Sequence, residues 1–134
     1  MNLAQSAKVN ASAEDPAEYD ENLTITTTDA YADATATVID ARHIDKGVLE
    51  ILSKHATNGI TYKIRGSNKA GSTAPGNTDT SWVPLVTDVA IAANQTESKK
   101  ESWSEPLSWL RVDIKATSAG NQGTVDVRSR GMTK

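Results

Sequence analysis

Apolar and polar positions alternate most cleanly in Trp109–Ala116, WLRVDIKA. Leu110, Val112, Ile114 and Ala116 fall on one side, and Trp109, Arg111, Asp113 and Lys115 on the other. That period of two predicts a strand with one core face and one wet face. After the turn-forming Ser118–Gly123, Thr124–Arg130 alternates again, which predicts an antiparallel hairpin with the strand before it. A second hairpin is expected upstream. There Val48–Leu52 and Thr61–Arg65 flank Thr57-Asn58-Gly59, residue types that tolerate the positive φ of a tight turn. The apolar spacing of Val48–Leu52 also fits one helical turn, but its shortness and the turn after it favour a strand. Leu23–Thr28 and Ala34–Asp40 are β-branched runs. Trp82–Val86 carries Pro84, which cannot donate to a ladder and so marks an edge strand or a bulge. Val89–Ala92 is a short strand of its own. Seven or eight strands and no helix predict an all-β protein, an antiparallel β-sandwich of jelly-roll-like type.

The polar remainder sets the domain plan. Residues 1–20 are small and polar, with Pro16 breaking any helix, and are expected to form an extended acidic N-terminal arm. Residues 21–134 form a single β-sandwich domain. Asn68–Thr80 is a Gly-, Ser-, Thr- and Asn-rich loop, expected to be exposed and either mobile or ordered by a partner. Charge changes this picture in one respect. Residues 1–33 carry seven acidic side chains against Lys8 alone, whereas the rest carries thirteen basic and ten acidic ones. Glu14, Asp15, Glu18, Asp20 and Glu21 are therefore candidates for docking on a basic surface of a partner or a neighbouring copy. The alternative is a solvated tail. No concentrated basic stripe points to nucleic acid. No apolar run approaches the roughly 18–20 residues of a membrane span, and the first residues lack the apolar stretch of an export signal.

Candidate chemistry is sparse. With no cysteine there is neither a disulfide framework nor a thiol nucleophile. His43 and His55 lack partners at metal-ligand spacing and are expected to be structural, so no metal or cofactor site is assigned. No phosphate-cradling or nucleophile-elbow pattern occurs. Asp113 and Asp126 could face each other across the last hairpin. The basic neighbours Arg111, Lys115 and Arg128 make cross-strand ion pairing the better reading. No catalytic residue is assigned, and the chain is not expected to be an enzyme. The tryptophans remain. Trp82 is expected in the core. Trp109, in phase with Arg111 and Asp113, is expected on the wet face, where a large aromatic marks an interface. Trp103, in the polar segment Glu101–Glu105, fits either an interface or burial beneath that segment.

Two resemblances add to this. Thr61-Tyr62-Lys63-Ile64-Arg65-Gly66-Ser67-Asn68, a Gly-rich loop and Ser81-Trp82-Val83-Pro84-Leu85 resemble a strand–loop–strand motif of discoidin-type, galactose-binding-like sandwiches, over about twenty-five residues. Here the loop is longer, and Asn68-Lys69-Ala70-Gly71 stands where that motif has Asp-Gly. From Gly47 to Lys134, the order TYKIRGSN, WVPLV, VAIAAN, WLRVDIKA and TVDVRSRG is similar to small tailed-phage virion proteins, in particular capsid decoration (cement) proteins. That similarity implies a structural virion protein that stabilises the outer surface of a bacteriophage head. It also implies a homotrimer, with the major capsid protein as partner and with N-terminal arms and sheet edges as contacts. The protein would be made in the host cytoplasm and located on the capsid surface. The alternatives are a carbohydrate-binding module with Trp109 or Trp103 as stacking platform, and a head–tail or tail adaptor.

Overall fold

A computed structural model describes residues 21–133. Its eight strands are β1 (Glu21–Thr26), β2 (Thr37–Asp40), β3 (Ile44–Ser53), β4 (Ile60–Ser67), β5 (Val83–Ile91), β6 (Lys99–Trp103), β7 (Trp109–Ala116) and β8 (Thr124–Thr133). They form two four-stranded antiparallel sheets, with orders β1-β8-β3-β6 and β2-β7-β4-β5. Only β4 and β5 are neighbours both in sequence and in a sheet. Every other connection crosses from one sheet to the other. This is the jelly-roll arrangement, in which two sheets bury their inner faces against each other.

Both expected tight hairpins are thereby corrected. β3 is flanked by β8 and β6, and β4 by β7 and β5, so residues 54–59 form a corner between sheets. Among the described residues, only Asp88, Asn94, Gly71 and Gly120 have positive φ, so Asn58-Gly59 is not a mirror-image hairpin turn. Likewise β7 and β8 lie in opposite sheets. The true hairpin is β4–β5, joined by the long 68–82 loop. Three further expectations change. Trp82–Val86 and Val89–Ala92 fuse into one strand, β5, which bends at Asp88 (φ 45°). The polar stretch after Asn94 contains a strand, β6. Asp33–Thr35 is a 3-10 turn that precedes a shorter β2. Pro84 lies on an edge strand, where its missing N–H costs no ladder bond.

Ile39, Leu49, Ile51, Ile60, Ile64, Leu110, Val112, Ile114, Val125 and Val127 fill the space between the sheets. Each such side chain contributes about 1.5–3 kcal/mol by leaving water. The chain has no Phe, and Tyr62 is the largest fully buried side chain. Its hydroxyl donates to Glu101 of β6 at 2.5 Å, tying the edge of one sheet to the middle of the other. Burial, and then the bond to Glu101, push the Tyr62 phenol well above its ordinary range.

At one end of the sandwich the Trp103 ring lies directly against the backbone of Gly47. A Cβ added there would sit 2.4 Å from the ring and 2.7 Å from the carbonyl oxygen of Arg130. Gly47→Ala is expected to destabilise the fold by about 1–3 kcal/mol through overpacking. Gly76→Ala, whose Cβ would meet nothing within 4 Å, is expected to be close to neutral. Urea denaturation of the two variants checks this. Equal midpoints would refute the close-packed account of Trp103.

Candidate interaction surfaces

The two sheets present different outer faces. That of β2-β7-β4-β5 is covered by the chain's own connections, because its outward residues are too polar to be left half-dry without partners. Trp109, Arg111 and Asp113 stand on this face, yet all three are buried. Arg111 lies directly opposite Arg65 of β4, a like-charge pair that would be unfavourable alone. Asp113 resolves it. Its carboxylate accepts from Arg65 Nε and Nη2 at 3.2 and 2.9 Å and from Arg111 Nε at 2.9 Å. Arg111 also reaches Asp33 at 2.6 Å, and Arg65 donates to the carbonyl and side-chain oxygens of Asn77 at 3.1 and 2.6 Å.

The cover has two parts. The 68–82 loop folds back over Arg65. Trp82 Nε1 donates to the carbonyl oxygen of Gly76 at 2.8 Å, the Trp82 ring lies 5.7 Å from the Arg65 guanidinium, and Ser67 and Ser81 hydroxyls meet at 2.7 Å. The β1–β2 connection covers the other half. The Tyr31 ring packs against Lys63 and Lys115 (4.5 and 4.9 Å), and its hydroxyl donates to Asp88 at 2.6 Å. Burial and the nearby Asp88 carboxylate raise the Tyr31 phenol far above its ordinary range. The loop expected to be mobile or ordered by a partner is thus ordered by its own chain. Trp82 is buried as expected, but in this outer layer and outside the main cluster between the sheets. The expectation of a wet-face Trp109 is corrected. The ring is 5% exposed, with the Arg42 guanidinium 4.8 Å above it and Asp40 holding that guanidinium. The strand pattern correctly set the direction of the ring and could not show that a loop would cover it. Asp113 and Asp126 lie in different sheets. Asp113 pairs as described, and Asp126 pairs with Lys54 at 3.1 Å.

Among the described residues, no connection covers the outer face of β1-β8-β3-β6. Val48, Glu50 and Leu52 alternate outward on β3, beside Asp126, Arg128 and Arg130 on β8 and Lys100 and Ser102 on β6. Trp103 is half-buried. It packs against the core, and it also lines a shallow groove of about 450 Å³ with Lys46, Val48, Arg130 and Met132. The burial reading of this residue therefore holds in part. Glu21 pairs opposite Ser129 at the start of β1, while Glu14, Asp15, Glu18 and Asp20 lie outside the described residues.

Pattern reasoning missed one surface. Where the β4–β5 and β6–β7 connections meet, Val83 (57% exposed) and Leu85 (41%) stand beside Leu107 and the backbone of Gly66. Together they line a groove of about 650 Å³ with a polar rim that includes Asp79, Thr80 and Glu105. The available signal was the edge-strand Pro84 between two apolar residues. At the rim, Lys69 donates to Asp79 and holds its carboxyl down at about 2.

No family model and no curated protein matches this chain. Solved structures do. A subunit from Bacillus endospore appendages, described as forming a novel family of disulfide-linked pili, is 19% identical over the whole of both chains, with a TM-score of 0.40. A chain of the infectious bursal disease virus Gx strain is 11% identical over 97% of this chain and 35% of its own length, with a TM-score of 0.36. This chain thus spans about a third of that viral chain, and it has no cysteine with which to form a disulfide link. Among the described residues, no helix is long and apolar enough to cross a membrane.

Removing Asp113 leaves Arg65 and Arg111 opposed in a buried layer. Asp113→Ala is expected to cost about 3–5 kcal/mol, whereas Asp33→Ala, at a carboxylate 77% exposed, is expected to cost under about 1 kcal/mol. Chemical denaturation measures both. Comparable losses would contradict the central role of Asp113. The Lys69–Asp79 contact carries its own pH dependence. Asp79 is depressed in the folded chain, so its contribution is present above about pH 4 and is lost as pH falls toward about 2. Local loosening of the 68–82 loop, followed by Trp82 fluorescence, is expected only in that window, and loosening at pH 6 would contradict it.

Proposed function

We propose that this chain is a structural, non-enzymatic virion protein, a capsid decoration protein that binds the outer surface of a tailed-phage head. The major capsid protein is its partner, a homotrimer its working form and the capsid surface its location. The observation that carries the reading is where its apolar surface lies. Val83, Pro84 and Leu85 are exposed consecutively on an edge strand, beside Leu107, where a docking partner would cover them. The titratable groups add support. Asp40, Asp79, Tyr31 and Tyr62 are displaced from their ordinary ranges, and each is bonded to structural neighbours: Arg42 for Asp40, Lys69 and the Ser81 backbone N–H for Asp79, Asp88 for Tyr31 and Glu101 for Tyr62. They are spread over the domain rather than gathered in one dry cleft, which is what an acid–base site would need.

A second reading, as a carbohydrate-binding module, keeps only one of its two candidate platforms. Trp109 is covered by Arg42, and Trp103 still borders a groove. Glycan binding abolished by Trp103→Ala would favour it. A ring-forming head–tail adaptor would differ in mass from a trimer, so mass measurement in solution separates these two.

Binding to expanded phage capsids tests the main proposal. Leu85→Glu is expected to weaken binding by about ten- to a hundredfold, the equivalent of losing one buried leucine contact, with little change in melting temperature. A monomer that binds no capsid would sink the proposal. Deletion of residues 1–20 is expected to leave the sandwich folded and to weaken assembly, and unfolding of the truncated chain would refute the arm assignment.

A further inference from the structure

One end of the sandwich is gathered by a single histidine. His55 sits in the β3–β4 corner, and its ring Nδ1 accepts from two successive backbone N–H groups, Thr57 at 3.2 Å and Asn58 at 3.1 Å. An Asp or Asn side chain commonly caps a turn in this way, and here an imidazole does it. The carbonyl oxygen of His55 accepts from Asn94 N at 2.8 Å, and that of Ser53 accepts from Gln95 N at 2.9 Å, which fastens the β5–β6 turn. The side-chain amide of Asn58 donates to the carbonyl oxygen of Gln122 at 2.9 Å, which fastens the β7–β8 turn. Three turns, each crossing from one sheet to the other, thus meet at the corner that His55 caps. Asn94 holds a left-handed conformation (φ 56°) to make its contact.

We infer that His55 is a proton-controlled clasp for this end of the sandwich. A ring nitrogen that accepts two N–H bonds must be unprotonated, so the neutral imidazole carries its hydrogen on Nε2. Adding a proton at Nδ1 turns the acceptor into a donor that faces two backbone donors, and the Thr57 hydroxyl oxygen, at 3.5 Å, is at the limit of hydrogen-bond reach. The cap is then lost, and the 54–59 corner is free to open. The charged groups around this end do not offset the change. Lys54, next in the chain, is held by Asp126 at 3.1 Å. Asp29 is engaged by the backbone N–H of Gly120 and by the side chain of Gln122. Glu97 is the carboxylate of the β5–β6 turn, and the residues of that turn bonded to the corner, Asn94 and Gln95, are uncharged. Among the described residues, no carboxylate lies within ion-pair distance of the His55 ring. The consequence is a domain that loosens at one end when His55 is protonated, while the opposite end, with the Val83–Leu85 groove, stays closed.

Amide hydrogen exchange on the full chain, measured between pH 7.5 and pH 5.0 and corrected for the intrinsic pH dependence of exchange, tests the clasp. In the unmodified chain, protection at Thr57, Asn58 and Asn94 is expected to fall at least tenfold across this range, with protection at Ile64 and Val112 unchanged. His55→Asp supplies an acceptor that stays ionised throughout, and it is expected to keep the protection and abolish the pH step. His55→Ala is expected to lack protection at both pH values. His43→Gln, at an exposed histidine outside the corner, is expected to leave the step intact. A step that persists in His55→Asp, or protection in the unmodified chain that does not change with pH, overturns the proposal. The Asp variant keeps the test decisive if the Ala variant fails to fold.

Discussion

The Asp113 carboxylate, 1% exposed and held between Arg65 and Arg111, constrains more of this structure than any other single group. A charge so far from water is tolerable only if its hydrogen-bonding capacity is filled and if neither guanidinium loses its partner. Arg111 takes Asp33 as a second partner and Arg65 takes Asn77, so both covering connections are drawn onto the sheet by charges that must be satisfied. The 68–82 loop and the β1–β2 connection are therefore a third layer of the domain. Its content is ionic and aromatic, whereas the layer between the sheets is aliphatic.

Topology explains why such a layer is needed. Because six of the seven connections cross between sheets, β7 pairs with strands distant in sequence and becomes the centre of its sheet, with β2 on one side and β4 on the other. A central strand has no edge to leave in water, and here both of its faces are covered. Among the described residues, the opposite sheet has no comparable cover, and its outward Glu50, Asp126, Arg128 and Lys100 form a mixed-charge surface. The asymmetry separates a closed face, on which the buried Trp109 Nε1 still lacks a hydrogen-bond partner, from more open surfaces. Those surfaces are the opposite sheet, the edge strand with Val83 and Leu85, and the groove beside Trp103.

Much of the fold was legible in local pattern. Period-two alternation located β7 and β8, and Pro84 marked β5 as an edge strand or a bulge. The candidate site was far less legible. Trp109 and Trp103 were singled out as unusual by their polar neighbours. Yet one is roofed by Arg42, and the other is divided between core and groove, because exposure depends on which distant segment lies above. Leu85 and Val83 drew no notice as contact residues, since apolar residues in a strand are expected to be buried. The β6 strand was hidden because Lys99, Lys100 and Glu101 do not look like a strand until β3 supplies a partner.

What the sequence determined by itself is the all-β class, the direction in which most side chains point, and the excess of acid in residues 1–33. These follow from backbone period, β-branching and charge, which are properties of neighbouring residues. Tertiary structure alone decided which strands pair, and so turned two apparent hairpins into crossings between sheets. Pairing is settled by apolar area buried between residues far apart in the chain, and that total can override a local turn preference. Tertiary structure also decided that the polar side of β7 would be dry. Alternation says which way Arg111 and Asp113 point, and only the folded loops determine whether they meet water or each other.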